Sequence, residues 1–527
     1  MTASDRRAAW AVLAATLALA AWGLRWGLPS EYGWAPDEVL PHDVDAAVSQ
    51  RFAKGWHSKY PPLHFALLAA AGVPARAAAR VTGGDDAHVR DARMTAGRLL
   101  SLLMAAGTLL ALQRCGRLLG DPLAGTLAAA VLGLSVPFVY YAKTANLDVP
   151  YLFWFALSLL SLLRALGRGQ ARDFAWFGLS AAAAVATKDQ AYALYVLTVP
   201  VLVGHLHGRR RREGAPGGLF SDRRLAAMAV TGVGGYLLLA GVLINPSGWL
   251  AHLRLIAGPA SGDFRMFESS LGGRLELLWQ SARHLAFAIG TPALAAAGIG
   301  VVWVWRQGSA RGRWLAVLVP AASYLLFFLL VVLYVYDRFL LPVALVLALF
   351  AGAALAQALR SRSVVLRSAA CLVLASAGAR AVAVDLLLAR DSRYAVEAWL
   401  RREVGPGPLI AAVGPLEYLP RLDGLRWRRL GPSAARLAQV RPDLVVINAD
   451  YAQRAEEGTG ERSFYRDLET GALGYAPAVR RRGEAQSWLL DTRPLRADGP
   501  GRIWSNIEKA SPDIVVYRRE DGSALSR

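Results

Sequence analysis

The chain has 527 residues, of which 55% are hydrophobic and only 19% charged, and it carries a formal net charge of +20. A composition this apolar excludes an ordinary soluble globular protein, and no soluble basic fold is present on which the charge would mark nucleic-acid binding. With only Cys115 and Cys371, a disulfide framework and a cysteine-built metal site are excluded as well.

The apolar residues fall in runs. Ala8 to Leu28, Leu225 to Ile244, Leu315 to Leu333 and Leu340 to Leu359 approach or reach the roughly 20 residues that cross a ~30 Å hydrocarbon layer. The chain therefore reads as a polytopic α-helical membrane protein. Arginines gather at alternate junctions, at Arg6 and Arg7, Arg114 and Arg117, Arg164 to Arg172, Arg209 to Arg212, Arg306 to Arg313 and Arg360 to Arg367. This is the bias of cytoplasmic loops, and it places the N-terminus in the cytoplasm. The basic, then apolar, N-terminus lacks a convincing small-residue cleavage site and reads as a retained first helix.

In chain order, a first span over about residues 8–28 leads to a long outer loop, 29–94, in which His42 to Ala53 and Leu63 to Ala79 read as interfacial helices. Spans over about 95–113 and 122–141 follow. The latter ends at Tyr140-Tyr141-Ala142-Lys143-Thr144-Ala145-Asn146-Leu147-Asp148-Val149-Pro150. After a span over about 149–164 comes a short pair around Lys188-Asp189, and then a span over about 225–244 that exits at Asn245-Pro246 into an outer loop reaching about Arg283. Three further spans enclose a tight outer turn, Tyr334 to Pro342, and a last one over about 368–388 brings the total to about eleven. From about Ala389 charge, Pro and Gly rise. Short β-rich runs at Leu409 to Val413, Leu444 to Ile447 and Ile514 to Tyr517 alternate with helical patterns such as Arg393 to Glu403. The reading is a membrane module over 1–388 and an extracytoplasmic α/β domain over 389–527 with a partly parallel sheet.

Acidic side chains beside a bilayer are costly unless they face water, a partner or a ligand. Three loops assigned to one membrane face carry complementary charges: Asp37, Glu38 and Asp148 against Lys59, Lys143 and Arg338. One carboxylate suits deprotonation of a hydroxyl or amine nucleophile, and Lys and Arg suit an anionic phosphate that leaves.

Asp37-Glu38 after the first span, Lys59-Tyr60-Pro61-Pro62-Leu63, Asn146-Leu147-Asp148-Val149-Pro150, and Tyr336-Asp337-Arg338-Phe339-Leu340-Leu341-Pro342 together resemble the type C (GT-C fold) glycosyltransferases. The resemblance is to the protein O-mannosyltransferase and lipid A aminoarabinose transferase superfamily, and Ser392-Arg393-Tyr394 to Trp399-Leu400, with Tyr418-Leu419-Pro420 and Arg441-Pro442-Asp443, extends it to an outer C-terminal domain. The resemblance implies an inverting transfer from a polyprenyl-phosphate sugar, in the membrane, to a lipid, glycan or protein acceptor at the outer face. It implies Asp37 as general base, Asp148 as the acid that supports it or binds the acceptor, and Lys59 and Arg338 near the lipid phosphate; beside these, Lys143 and Tyr60 are further candidates at the donor phosphate, and Glu38 either joins the catalysis or serves only to neutralise Lys59. Some relatives have an acid where Ser58 stands and use a divalent metal ion; here His252 is the one candidate ligand.

Each residue also has a plainer reading. Asp37 is a helix N-cap, Asp148 a cap before Pro150, Lys59 a snorkelling side chain, and Asp337 and Arg338 a local pair. Trp26, Trp34, Trp56 and Trp249 read as an interfacial aromatic belt. The competing functions are a transporter or flippase of lipid-linked sugars and a non-catalytic lipid-binding membrane protein.

Overall fold

The computed structural model describes residues 3–51, 60–214, 218, 221–258, 262, 264–306, 311–483, 490–497 and 499–520. They form two compact units. The first comprises Met1–Leu24, Asp37–Val382 and Pro494–Ser505; the second comprises Arg25–Pro36, Ala383–Arg493 and Asn506–Arg527.

The first unit is helical. Its longest helix among the described residues lying wholly within it, Asp86–Leu118 (33 residues), begins where the Asp85 carboxylate accepts the His88 N–H at 2.9 Å. It packs beside Leu63–Val81, Pro122–Gly133 and Asp148–Arg168. Small residues set these approaches. A Cβ on Gly116 would lie 2.3 Å from the Gly125 Cα, and one on Gly352 would lie 2.2 Å from the Ala124 carbonyl oxygen. Where lipid removes the hydrophobic drive between helices, such backbone contact supplies the packing.

The chain is an integral membrane protein in which, among the described residues, six helices are long and apolar enough to cross a membrane, or seven if Leu271–Ile289 and Thr291–Trp305, bent by 111°, count as one. The total of about eleven is not reached by this measure, and the reasons are local. The run expected to span about 122–141 stops at Gly133 and restarts as Val136–Tyr141, because Pro137 has no N–H to give to the preceding turn and its ring crowds the carbonyl four residues back. The run expected over about 225–244 is interrupted by a π-helical turn, Val230–Gly234, in a glycine-rich stretch. The expected outer loop to about Arg283 is instead partly helical. Asn245 caps Pro246–Ala257 by accepting the Gly248 N–H at 2.9 Å, and Ser270 caps Leu271–Ile289 by accepting the Gly273 N–H at 3.1 Å.

The second unit contains a five-stranded mixed sheet of β1 (Ile410–Val413), β2 (Trp427–Leu430), β3 (Leu444–Asn448), β4 (Tyr475–Arg481) and β5 (Ile514–Arg519), in the order β2-β1-β3-β5-β4. The pairs β1–β2 and β1–β3 are parallel and the pairs with β5 antiparallel. Strands β1 and β3 are buried throughout, which is why they read as continuous apolar runs. Strands β2 and β4 escaped notice because they are edge strands, carrying Arg428, Arg429, Arg480 and Arg481, and Pro477 sits at a bulge in β4. Trp26 and Trp34 are not an interfacial belt. They are 3% and 1% exposed, and the Arg393 guanidinium lies 4.1 Å from the centre of the Trp34 ring while bonding Asp391 at 2.7 Å. Trp56 lies outside the described residues; Trp249 donates to the Tyr236 hydroxyl at 3.2 Å.

If close backbone approach holds the helices together, Gly352→Leu lowers the thermal unfolding temperature of the detergent-solubilised protein, by the equivalent of about 1–3 kcal/mol for an overpacked core. Gly204→Ala, where an added Cβ meets nothing within 4 Å among the described residues, leaves it nearly unchanged. Equal unfolding temperatures for the two variants contradict this packing.

Candidate active site

The stretch Asp37-Glu38-Val39 is tied to the 143–148 loop by a buried polar joint. Arg98, on Asp86–Leu118, forks onto Glu38 with Nε–Oε1 at 2.7 Å and Nη2–Oε2 at 2.8 Å, and neither side chain is exposed at all. Glu38 Oε1 also accepts the Ala145 N–H at 2.9 Å, and the Val39 N–H donates to the Ala145 carbonyl at 2.7 Å. The remaining direction of the guanidinium is used on the Leu24 carbonyl, 2.8 Å away. A bidentate pair of this kind survives burial because its lone pairs and protons are met. Glu38 is thus the partner of Arg98, and its carboxylate serves as the joint between two loops; its expected partner Lys59 lies outside the described residues.

Immediately before that joint, Asp37 adopts a left-handed backbone conformation, φ +60, which is uncommon for non-glycine residues but which aspartate tolerates better than most. It is not a helix cap: Pro41–Ser49 begins after Leu40, whose N–H donates to the Asp43 carboxylate at 3.1 Å. Instead Asp37 Oδ2 pairs with Arg338 Nη1, the aspartate side chain 38% exposed and the arginine 12%. Asp337, the neighbour expected to pair with Arg338, accepts that residue's backbone N–H at 2.6 Å and the Ser505 hydroxyl at 2.5 Å. The guanidinium lies over Tyr336 and Phe339, 4.8 and 5.6 Å from the ring centres. Its Nε is buried and has no acceptor among the described residues.

The second pair is Asp148 with Lys188, Oδ1 to Nζ 2.6 Å, side chains 3% and 7% exposed. The Asp148 N–H is held by Asn146 Oδ1 at 3.0 Å, so the Asn-Leu-Asp spacing turns the chain into the helix Asp148–Arg168. The Lys188 ammonium lies 5.5 Å from the centre of Tyr151 and 5.3 Å from that of Phe339. Next to it, Gln190 Nε2 donates to the hydroxyls of Tyr151 and Tyr324, each at 2.9 Å. Phe339 is therefore flanked by the cations of both ion pairs, and Asp37, Arg338, Asp148 and Lys188 converge on one ring from four separate stretches of sequence.

Beside these pairs Tyr60 shares a small cleft with Asp189, Tyr236, Asn245, Trp249 and His252. Burial pushes the Tyr60 hydroxyl up to about 12, with Arg338 opposing and Asp37 and Asp148 reinforcing the rise, so it is a neutral hydrogen-bonding group at neutral pH. His252 Nε2 stands 3.0 Å from each Asp189 carboxylate oxygen. Among the described residues no three His, Cys, Asp or Glu side chains are grouped to hold an ion. Among the described residues His252 with Asp189 is thus a pair of donors, fewer than the three protein ligands of a catalytic zinc or the larger oxygen sets of magnesium and calcium sites.

Lys143, expected at the phosphate, closes a helix end. Its ammonium donates to the carbonyls of Leu19 and Trp22 at 3.1 and 2.6 Å, and the residue is 1% exposed, which suits a cation at a helix C-terminus. Lys59 lies outside the described residues. The residues that sequence reasoning passed over are Arg98, Lys188 and Gln190. The signal was present: Arg98 stands within an expected span and Lys188-Asp189 between two apolar helices, and ionisable groups in such places mark sites.

Residues 87–215 match the model of the dolichyl-phosphate-mannose-protein mannosyltransferase family. No curated protein sequence matches the chain significantly. Among solved structures, the chain is similar to ArnT from Cupriavidus metallidurans bound to undecaprenyl phosphate, at 14% identity over 98% of this chain and 99% of that one, TM-score 0.47. It is also similar to the Archaeoglobus fulgidus oligosaccharyltransferase in its apo form, at 12% identity over 91% and 74%, TM-score 0.46. Residues 87–215, which hold Arg98, Asp148 and Lys188, are the part of the chain that matches the dolichyl-phosphate-mannose-protein mannosyltransferase family model.

Proposed function

We propose that the chain is an inverting glycosyltransferase that moves a sugar from a polyprenyl-phosphate donor to an acceptor at the outer membrane face. The observation that carries the reading is the Asp37–Arg338 pair. An accessible carboxylate is bonded to an arginine whose buried Nε–H meets no acceptor among the described residues, so a base and an anion-binding group stand side by side. In this reading the donor phosphate takes the Arg338 fork, which loosens the hold on Asp37. Asp37 then accepts the proton of the acceptor hydroxyl or amine as its oxygen or nitrogen bonds to the anomeric carbon. The bond from that carbon to the phosphate oxygen breaks, and the electron pair leaves on polyprenyl phosphate, whose charge Arg338 stabilises. One displacement inverts the anomeric centre. The polyprenyl phosphate released from the donor diester is already a good leaving group, so the second carboxylate of a glycosidase is not required as an acid.

In this reading Asp148, buried and bonded to Lys188, supports the site and does not itself take the acceptor's proton. Its role in this reading is to hold the Lys188 ammonium against Phe339 and Tyr151 and keep the floor of the site positively biased. Phosphate binding, the N-terminus in the cytoplasm and the sheet-bearing unit outside the membrane belong to the same proposal. They are supported by the arginine-rich alternate loops and by the family match over residues 87–215.

The test is release of free polyprenyl phosphate from a panel of polyprenyl-phosphate sugars by the purified protein. Asp37→Asn is expected to lower turnover by about 10²–10⁴-fold, the usual worth of a general base, while donor binding stays close to wild type; Arg338→Ala is expected to weaken donor binding. Wild-type turnover in the first variant removes Asp37 as the base, and unchanged affinity in the second removes the phosphate role.

Asp148→Asn strands a buried ammonium and is expected to destabilise the protein by about 3–5 kcal/mol. The double variant Asp148→Asn with Lys188→Met, which removes both charges, is expected to recover most of that stability and little of the turnover, by thermal unfolding and product release on the same preparations. Equal stability of the single and double variants contradicts the coupling of the two residues.

A further inference from the structure

A strand of chain from far down the sequence braces the turn that presents Arg338. Within the first unit, Pro494–Ser505 closes on itself through the Ile503 N–H and the Pro494 carbonyl at 2.7 Å. It is fastened to Leu271–Ile289 by Arg283, whose Nη2 donates to the Gly501 carbonyl at 2.8 Å. The Trp504 N–H donates to His284 Nε2 at 3.0 Å, and the indole stacks on the imidazole, 5.7 Å between centres and 7° from parallel. His284 Nδ1 faces the Gln280 carbonyl at 2.7 Å. Since one ring nitrogen meets an acceptor and the other a donor, the geometry selects the neutral imidazole with its proton on Nδ1.

From this anchorage the strap reaches the 336–340 turn with two bonds to one residue. The Asp337 N–H donates to the Trp504 carbonyl at 3.0 Å, and the Ser505 hydroxyl donates to Asp337 Oδ2 at 2.5 Å. The other carboxylate oxygen, Oδ1, receives the Arg338 N–H at 2.6 Å. Asp337, His284 and Ser505 are fully buried. Main chain and side chain of Asp337 are therefore both held, and the residue so held is the one from which Arg338 projects.

Resting on the reading of Arg338 as the group that meets the donor phosphate, we propose that Trp504 and Ser505 are positioning residues of the transfer site. They fix the pitch of the Tyr336–Phe339 turn so that the guanidinium is aimed before the donor arrives. Because the reach of a fork is sensitive to small displacements, loosening the strap acts on donor recognition before it acts on global stability.

The experiment uses the full-length protein, kinetics with the same donor panel, thermal unfolding, and hydrogen exchange of peptides covering residues 334–342. Ser505→Ala is expected to raise the donor KM about tenfold, the size of a lost hydrogen bond to a charged group. Its kcat is expected to change less, its unfolding temperature to fall only modestly, as for one lost buried hydrogen bond, and exchange across the turn to quicken; Ser505→Cys, a weaker donor of similar size, falls between. A donor KM for Ser505→Ala within twofold of wild type, or a fall in kcat alone, overturns the positioning role. Should the wild type release polyprenyl phosphate from no donor, the functional reading fails by itself and exchange still decides the strap: quickened exchange in Ser505→Ala supports the brace on Arg338, and unchanged exchange overturns it.

Discussion

Everything at the candidate site depends on one buried ion pair. Glu38 and Arg98, both without solvent exposure, join the segment after the first helix to the helix Asp86–Leu118, and through the Ala145 N–H they join both to the loop that ends at Asp148. Two charges at such depth are expensive to remove from water, and they persist because the fork meets both carboxylate oxygens and the leftover donor meets the Leu24 carbonyl. Such a pair adds little net stability over an apolar filling of the same volume. What it adds is registry: the backbone bond from Val39 to Ala145 can form in one alignment only, and Asp37 lies two residues before it.

Around that joint the charges are arranged as two pairs, not as a field of one sign. Asp37 with Arg338 is open to water on the acid side; Asp148 with Lys188 is closed. Phe339 lies beside both cations, and its low-dielectric bulk strengthens their influence on an anion without adding a competing acceptor. In the proposed reaction the asymmetry is useful. The accessible pair is the one whose arginine is exchanged for a phosphate, whereas the buried pair stays intact and holds the site's shape.

The sequence made much of this legible and concealed the pairing. Asp37, Asp148 and Arg338 stand in loop motifs whose type and order were readable, and the apolar runs announced a membrane protein. Which acid meets which cation was not readable, because that is decided by how distant helices pack: Lys188 reaches Asp148 across 40 positions, while Lys143, five positions from Asp148 and nearer in sequence, turns to the carbonyls at the end of Ala3–Ala21. Trp26 and Trp34 show the same limit. Their place after an apolar run fits an interfacial belt, yet both are buried around Arg393, more than 350 positions away. The break at Pro137, by contrast, was present in the local chemistry of Gly133 to Pro137 and needed no tertiary information. The edge strands β2 and β4 were missed for the opposite reason, since charge on an edge hides the alternation that marks a half-buried strand.

The central claim is that the segment carrying Asp37 and the loop carrying Asp148 are held together as one site, and the most direct measurement is a cross-link between them. With Val39→Cys and Ala145→Cys introduced into the full-length protein, two residues joined by a backbone hydrogen bond and packed in one buried cluster become two thiols, and a disulfide forms only where Cα atoms stand within about 4.4–6.8 Å. Mild oxidation followed by mass spectrometry is predicted to show a disulfide between the two introduced thiols in most molecules. Two thiols that remain free to alkylation under the same conditions would contradict the account.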